Sequence, residues 1–185
     1  MPRRLLVSSL LCLTSLSLSA QVLEPLIVSV HRDALPASHQ PFVVDVLGSS
    51  ALQTSPALAL DDQLKASAAF RLFRRGGSLS ANPTAQGVSL RNVGPSGAGR
   101  TLVLVDGIPL NDPFGGWVTW AKTSRLDLGA VELVRGGGSG AWGSSALGGT
   151  IQILSQPVAE STRSATQFEV GDFGTLAAEI STTQV

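Results

Sequence analysis

Four groups of residues in this sequence carry chemical promise: a glycine-rich run, a few serines and histidines, an acidic pair and two arginines. Gly138-Ser-Gly140-Ala-Trp-Gly143 fits the dinucleotide spacing GxGxxG and follows a predicted strand. That spacing binds a pyrophosphate only where a helix begins and aims its first amides at the ligand. The next predicted strand starts at Thr150, and a crossover helix needs about a dozen residues. The run therefore reads as a turn, and no cofactor is expected. His31 and His39, the only histidines, lie in a polar stretch away from any serine-bearing turn. Gly143-Ser-Ser-Ala-Leu misses the nucleophile-elbow spacing GxSxG at its last position. No His, Cys or carboxylate cluster has metal-ligand spacing, so no metal is expected. Asp61-Asp62 reads as a solvated helix start, where the helix dipole favours acid. Without a nucleophile–base set, an enzyme is the weakest reading.

The arginines differ. Arg91 and Arg135 each end a predicted strand and precede a turn. A lone arginine there is ordinarily a solvated strand end. Two at matching strand ends could hold carboxylates of another surface through bidentate hydrogen bonds.

The elements that must position these residues are short. Of 185 residues, 43% are hydrophobic and 14% charged, which suits a packed domain rather than disorder. Twenty glycines and ten prolines favour a loop-rich α/β or β fold over a helical bundle. The pattern predicts strands over 42–47, 87–91, 101–105, 130–135 and 150–154. Thr101 to Val105 is apolar throughout, as in a strand covered on both faces. Asp106-Gly107 is a strong turn signal, and 94–99 is a second turn. Leu58, Leu60, Leu64 and Ala68 predict an amphipathic helix over 57–68. Ser49, Ser50 and Thr54 suit caps of short helical turns. Residues 70–73 are extended, and 74–86 and 111–122 are long loops. Two alternating strands, 166–171 and 175–183, flank a Gly-Asp-Phe-Gly corner.

Residues 1–20 stand apart. Arg3 and Arg4 precede an apolar run, Leu5 to Leu18, and then small residues suited to signal-peptidase cleavage. The run falls short of the roughly 20 solidly apolar residues of a membrane anchor. Cleavage after Ser19 or Ala20 would remove two of 13 basic residues, none of 13 acidic ones and the only cysteine, leaving a net charge of about −2. That balance excludes the basic face a nucleic-acid binder needs, and no disulfide is possible.

Several of these segments, in this order, resemble the plug domain of TonB-dependent receptors. GVSLRNVGPSGAGRTLVLVDGIPLNDPFGGW is similar to that family's strand–arginine–turn–strand block, and AVELVRGGGSGAWGSSALGGTIQIL to the block that closes the plug. The resemblance covers about Gln21 to Val185 and is most specific over 86–155. It departs at Asn92, where the family usually has glycine, and at Gly137, where it often has proline. Asparagine tolerates positive φ better than most residues.

The resemblance implies an α+β plug with a small mixed β-sheet and short helices, followed by the start of an outer-membrane β-barrel. It divides the chain into a signal peptide (1–20), a TonB-box segment and linker (21–41), the plug (42–157) and the first strand or two of the barrel (158–185). It implies a receptor that gates energy-coupled uptake of a scarce solute, such as a siderophore or other metal chelate, cobalamin or a sugar. The implied partners are TonB, the receptor's own barrel, the small-molecule ligand and the outer membrane, with the N-terminus on the periplasmic side. Glu24, Pro25, Leu26, Ile27, Val28, Ser29 and Val30 look like the TonB-binding segment. Arg91 and Arg135 match the arginines that pair with barrel glutamates, with Glu132 able to orient one of them; without that barrel both side chains are expected in water. Asn82, Asn111, Asp112, Phe114, Trp117 and Trp120 are expected either to touch the solute or, for the aromatics, to pack against the barrel wall. A whole barrel needs well over 200 further residues at about ten per strand, so the chain is expected to be a receptor fragment or a truncated product. A free-standing periplasmic binding module on the plug fold is the second reading.

Overall fold

A computed structural model describes residues 27–28, 35–36, 41–74, 76–82, 86–91, 100–158 and 160–184. The expected signal (1–20) and the turn at 94–99 lie outside the described residues. So do Asn92 and Glu24, Pro25, Leu26, Ser29 and Val30 of the expected TonB segment.

Ile27–Val28 (β1) pairs antiparallel with Leu35–Pro36 (β2). Then come Val43–Gly48 (β3), helices Ser49–Thr54 (α1) and Leu60–Leu64 (α2), Phe70–Leu72 (β4) and Val88–Leu90 (β5). Thr101–Val105 (β6), Ile108–Pro109 (β7), Leu128–Arg135 (β8), Ser139–Trp142 (α3) and Gly149–Ser155 (β9) follow. Arg163–Val170 (β10) and Leu176–Thr183 (β11) end the described chain as a hairpin.

The main sheet has the order β3-β8-β9-β6-β7. Only β6 and β9 run parallel; the other neighbours are antiparallel. This is the small mixed sheet of an α+β fold. Its strands are the β-branched runs of the sequence, cut by glycine and proline. Leu102, Val103 and Leu104 are buried, as their apolar run predicts, and buried Thr101 accepts from the Leu90 amide at 3.0 Å. Asp106 and Gly107 take φ of 48° and 82°, the two left-handed residues that match a tight turn to the strand twist. The turn is also fixed to the end of β9. The Ser155 amide and hydroxyl donate to the Asp106 carboxylate at 2.9 and 2.6 Å.

The sequence predicts this strand only from residue 130, but the structure begins it at Leu128, with a bulge at Gly129. A Cβ on Gly129 would sit 2.8 Å from the Ser155 carbonyl oxygen, so the close approach of β9 requires glycine. The GxGxxG run turns β8 back antiparallel into β9 through one helical turn, α3, and a 3₁₀ turn at 144–146. It opens no crossover helix.

The helix predicted over 57–68 is only α2, five residues long. Amides of Ala66, Ser67 and Phe70 bond to carbonyls three residues back, which tightens the chain and ends the helix. Leu60 and Leu64 are buried, whereas Ala68 is exposed.

One sheet face, bearing Val103, Val131, Leu133, Ile151 and Ile153, packs on Leu52, Leu60, Leu64, Phe70, Leu90 and Trp120. The opposite face carries Val134 against Phe42, Val44 and Val46, and Leu102 and Leu104 against Ala146 and Trp142. Across that face, Val46, Glu132, Gln152 and Leu104 lie in one cross-strand row.

Candidate functional site

The loop after β7 is built from its own polar side chains. Asn111 Oδ1 accepts from the Val103 amide at 2.7 Å. Its Nδ2 donates to the carbonyls of Thr101 at 3.2 Å and Gly116 at 3.1 Å. One side chain thus serves as a strand partner for β6 and closes the loop. Asp112 Oδ1 accepts from the amides of Phe114 and Gly115 at 2.9 and 2.7 Å, an Asx turn. The Trp117 ring lies so close over Gly115 that any Cβ there would overlap it. The loop presents Phe114, 96% exposed. Beneath it a cavity of about 600 Å³ is lined by Leu102, Pro109, Asn111, Phe114, Gly115 and Trp142.

These facts sort the residues expected to touch a solute. Asn111 and Asp112 shape the loop, and Phe114 and half-buried Trp117 stand at its surface. Trp120 does not: it is 1% exposed and meets Phe70 edge to face at 5.8 Å. Its place is the core, because it follows Val118, which the Gln86 carbonyl pulls inward through the Val118 amide. Asn82 is exposed on the other loop.

The arginine pair also divides. Arg135 Nη2 reaches both carboxylate oxygens of Asp45 at 2.6 Å, and Ser67 Oγ donates to the same carboxylate at 3.1 Å. Arg135 is thus paired within the plug instead of standing in water. Arg91 is exposed and forms no ion pair with a carboxylate among the described residues. It takes a left-handed φ of 59° itself, while its amide donates to the Ala69 carbonyl at 2.9 Å. Glu132 is buried on the sheet face opposite Arg135, since positions three apart in a strand point to opposite sides. Asp61 is not a solvated helix residue either. It is fully buried, ion-paired with Arg74 and hydrogen-bonded by Ser78 Oγ at 2.6 Å.

Sequence reasoning missed Arg125. Its side chain is 7% exposed and its Nη1 contacts Glu169 of β10 at 2.5 Å. Its Nη2 donates to the carbonyls of Ser55 at 3.1 Å and Leu52 at 3.5 Å, at the end of α1. Its amide donates to Glu179 of β11 at 3.0 Å. Two residues on, Asp127 accepts from Ser181, and Gln156 Oε1 accepts from Arg163 at 2.9 Å. The hairpin is therefore held to the sheet domain by polar contacts on one face, where Gln167, Glu169 and Glu179 are half-buried. The other face exposes Phe168, Val170, Leu176 and Ile180. The alternation in the sequence separates the two faces of the hairpin; it does not say what Glu169 and Glu179 meet.

The family model described as the TonB-dependent Receptor Plug Domain matches residues 36–150. Among solved structures, the alcaligin outer-membrane receptor FauA of Bordetella pertussis aligns with a TM-score of 0.64 at 14% identity over 83% of this chain. The ferric yersiniabactin uptake receptor FyuA of Yersinia pestis gives 0.59 at 21% identity over 78%. The ferric citrate transporter FecA gives 0.58 at 21% over 71%. The aligned part spans 25%, 22% and 20% of those three chains respectively.

Proposed function

This chain belongs to the TonB-dependent receptor plug domains, and from that membership we propose that it closes the pore of an outer-membrane β-barrel and gates energy-coupled uptake of a scarce solute. The observation that carries the reading is the two-faced hairpin. β10 and β11 alternate between apolar residues in the open, such as Phe168 and Ile180, and polar residues against the plug, such as Glu169 and Glu179. A barrel wall demands that alternation, with lipid on one side and a filled lumen on the other. The solute would be a siderophore, cobalamin, a sugar or a similar scarce molecule, met by the loop that presents Phe114.

The test uses the receptor that carries this segment. Deleting residues 42–157 should leave an open pore and make cells sensitive to vancomycin, a solute too large for ordinary porins. Unchanged resistance with the remaining barrel inserted in the outer membrane would remove the plug role and favour a free-standing module.

Coupling to TonB is proposed for residues 24–30, which would add a strand to a TonB sheet through main-chain hydrogen bonds. Ile27 and Val28 have strand geometry here and pair with Pro36 and Leu35. Val28→Pro removes a donor and resists sheet pairing. It should abolish growth on whichever single limiting nutrient, from a panel of ferric siderophores, cobalamin and oligosaccharides, the receptor supplies. Binding of that nutrient to cells should persist. Normal growth of the variant would sink the assignment.

A further inference from the structure

The guanidinium of Arg125 faces two elements that share no direct hydrogen bond or ion pair among the described residues. Nη1 points to Glu169 on β10, and Nη2 to the Ser55 and Leu52 carbonyls at the end of α1. α1 directly follows β3, the sheet strand nearest the N-terminus. The hairpin lies at the opposite end of the described chain. A planar fork can hold a carboxylate on one edge and carbonyls on the other at once; a lysine ammonium is a single point and cannot span the two sites in the same way. The site is buried, so water does not readily replace a lost partner.

We propose that Arg125 is a coupling residue that ties the end of α1 to the β10–β11 hairpin, so that loosening either element loosens the other. Its α1 side is a helix end, where carbonyls lack intrahelical donors and a cation is welcome. Displacing α1 removes those acceptors, and the guanidinium is left with Glu169 alone. Displacing the hairpin removes the carboxylate, and the carbonyls then face a buried, unneutralised cation. Each event raises the free energy of the other contact, and such coupling is reciprocal. The Glu179 contact differs in kind: it is accepted from the Arg125 main-chain amide and bypasses the guanidinium. The inference rests on contacts within this chain and stands whether or not the transport reading holds.

Amide hydrogen exchange on this chain tests it, with the amides of β8 and β9 as an internal reference for global stability. Glu169→Gln should lower protection in β10 and β11 and also at the end of α1, on the order of tenfold, the scale of one charge-assisted hydrogen bond. The β8 and β9 amides should keep theirs. Glu179→Ala should loosen the hairpin with a smaller response at α1. In an Arg125→Lys background, Glu169→Gln should add nothing at α1, because the fork that joins the sites is gone. A normal α1 in Glu169→Gln, or the same added loss at α1 in the lysine background, would overturn the proposal. Should Arg125→Lys lower the β8 and β9 protection too, the comparison of Glu169→Gln with Glu179→Ala in the native background decides alone: equal α1 responses refute the coupling, and a larger response to Glu169→Gln upholds it.

Discussion

Trp120→Ala should cost the domain about 3–5 kcal/mol, the usual range for deleting a buried large aromatic. The indole is the largest of the fully buried side chains and stands edge-on to Phe70 in the main core cluster. Total stability of a domain is commonly only about 5–15 kcal/mol, so the variant should be unfolded or nearly so. Its indole N–H has no hydrogen-bond partner among the described residues. Trp120→Phe therefore sacrifices packing volume without losing a hydrogen bond, and its loss should be clearly smaller. Urea denaturation followed by far-UV circular dichroism measures both. A midpoint for Trp120→Ala equal to that of the native chain would mean that Trp120 is not core and would restore it as a surface contact.

Asp61→Ala should be nearly as damaging, for an electrostatic reason. Removing the carboxylate leaves the Arg74 guanidinium buried, 7% exposed, with Nε and Nη1 already lacking partners among the described residues. An uncompensated buried charge costs about 3–5 kcal/mol. Removing both members is a different matter. Asp61→Leu with Arg74→Met exchanges an ion pair for apolar contact, and such exchanges are often neutral or stabilising by about 1–4 kcal/mol. Ser78 must then become alanine as well, because its buried hydroxyl would lose the acceptor it has in Asp61. The single variant should be much less stable than the triple one. If the triple variant is as unstable as Asp61→Ala, the cost lies in shape and not in the stranded charge.

Local pattern made much of this fold legible. β3, β6, β8 and β9 lie where alternation and β-branched runs place them, and Asp106-Gly107 turns as that pair should. The GxGxxG run could be recognised as a turn because chain length alone forbade a crossover helix. What escaped were features decided across the sheet. Asp61 looks like any acidic helix start until Arg74 and Ser78 close over it. Trp120 and Trp117 are three residues apart in one loop, and only the tertiary path assigns one to the core and the other to its surface. Arg125 meets Glu169 from 44 residues away and Glu179 from 54. No periodicity encodes such a meeting. Arg91 itself takes a left-handed φ of 59°, which nothing in its residue type announces.

The pairing of β3 with β8 has a consequence for how the chain comes to be folded. Val43 pairs with Arg135 and Gly48 with Ala130, so β3 is made early in synthesis and waits for a partner made much later. Domains acquire non-local strand pairs slowly, because loop closure must precede the contacts that reward it. During that wait Val43-Val-Asp-Val-Leu47 is a nascent β-segment with free main-chain groups, the kind that pairs with other chains. Asp45 sits at its centre. In the finished sheet that carboxylate takes Arg135 and Ser67; before β8 arrives it is a gatekeeper charge that repels a second copy of the same segment. The same side chain thus discourages aggregation of the incomplete fold and receives an ion pair in the complete one.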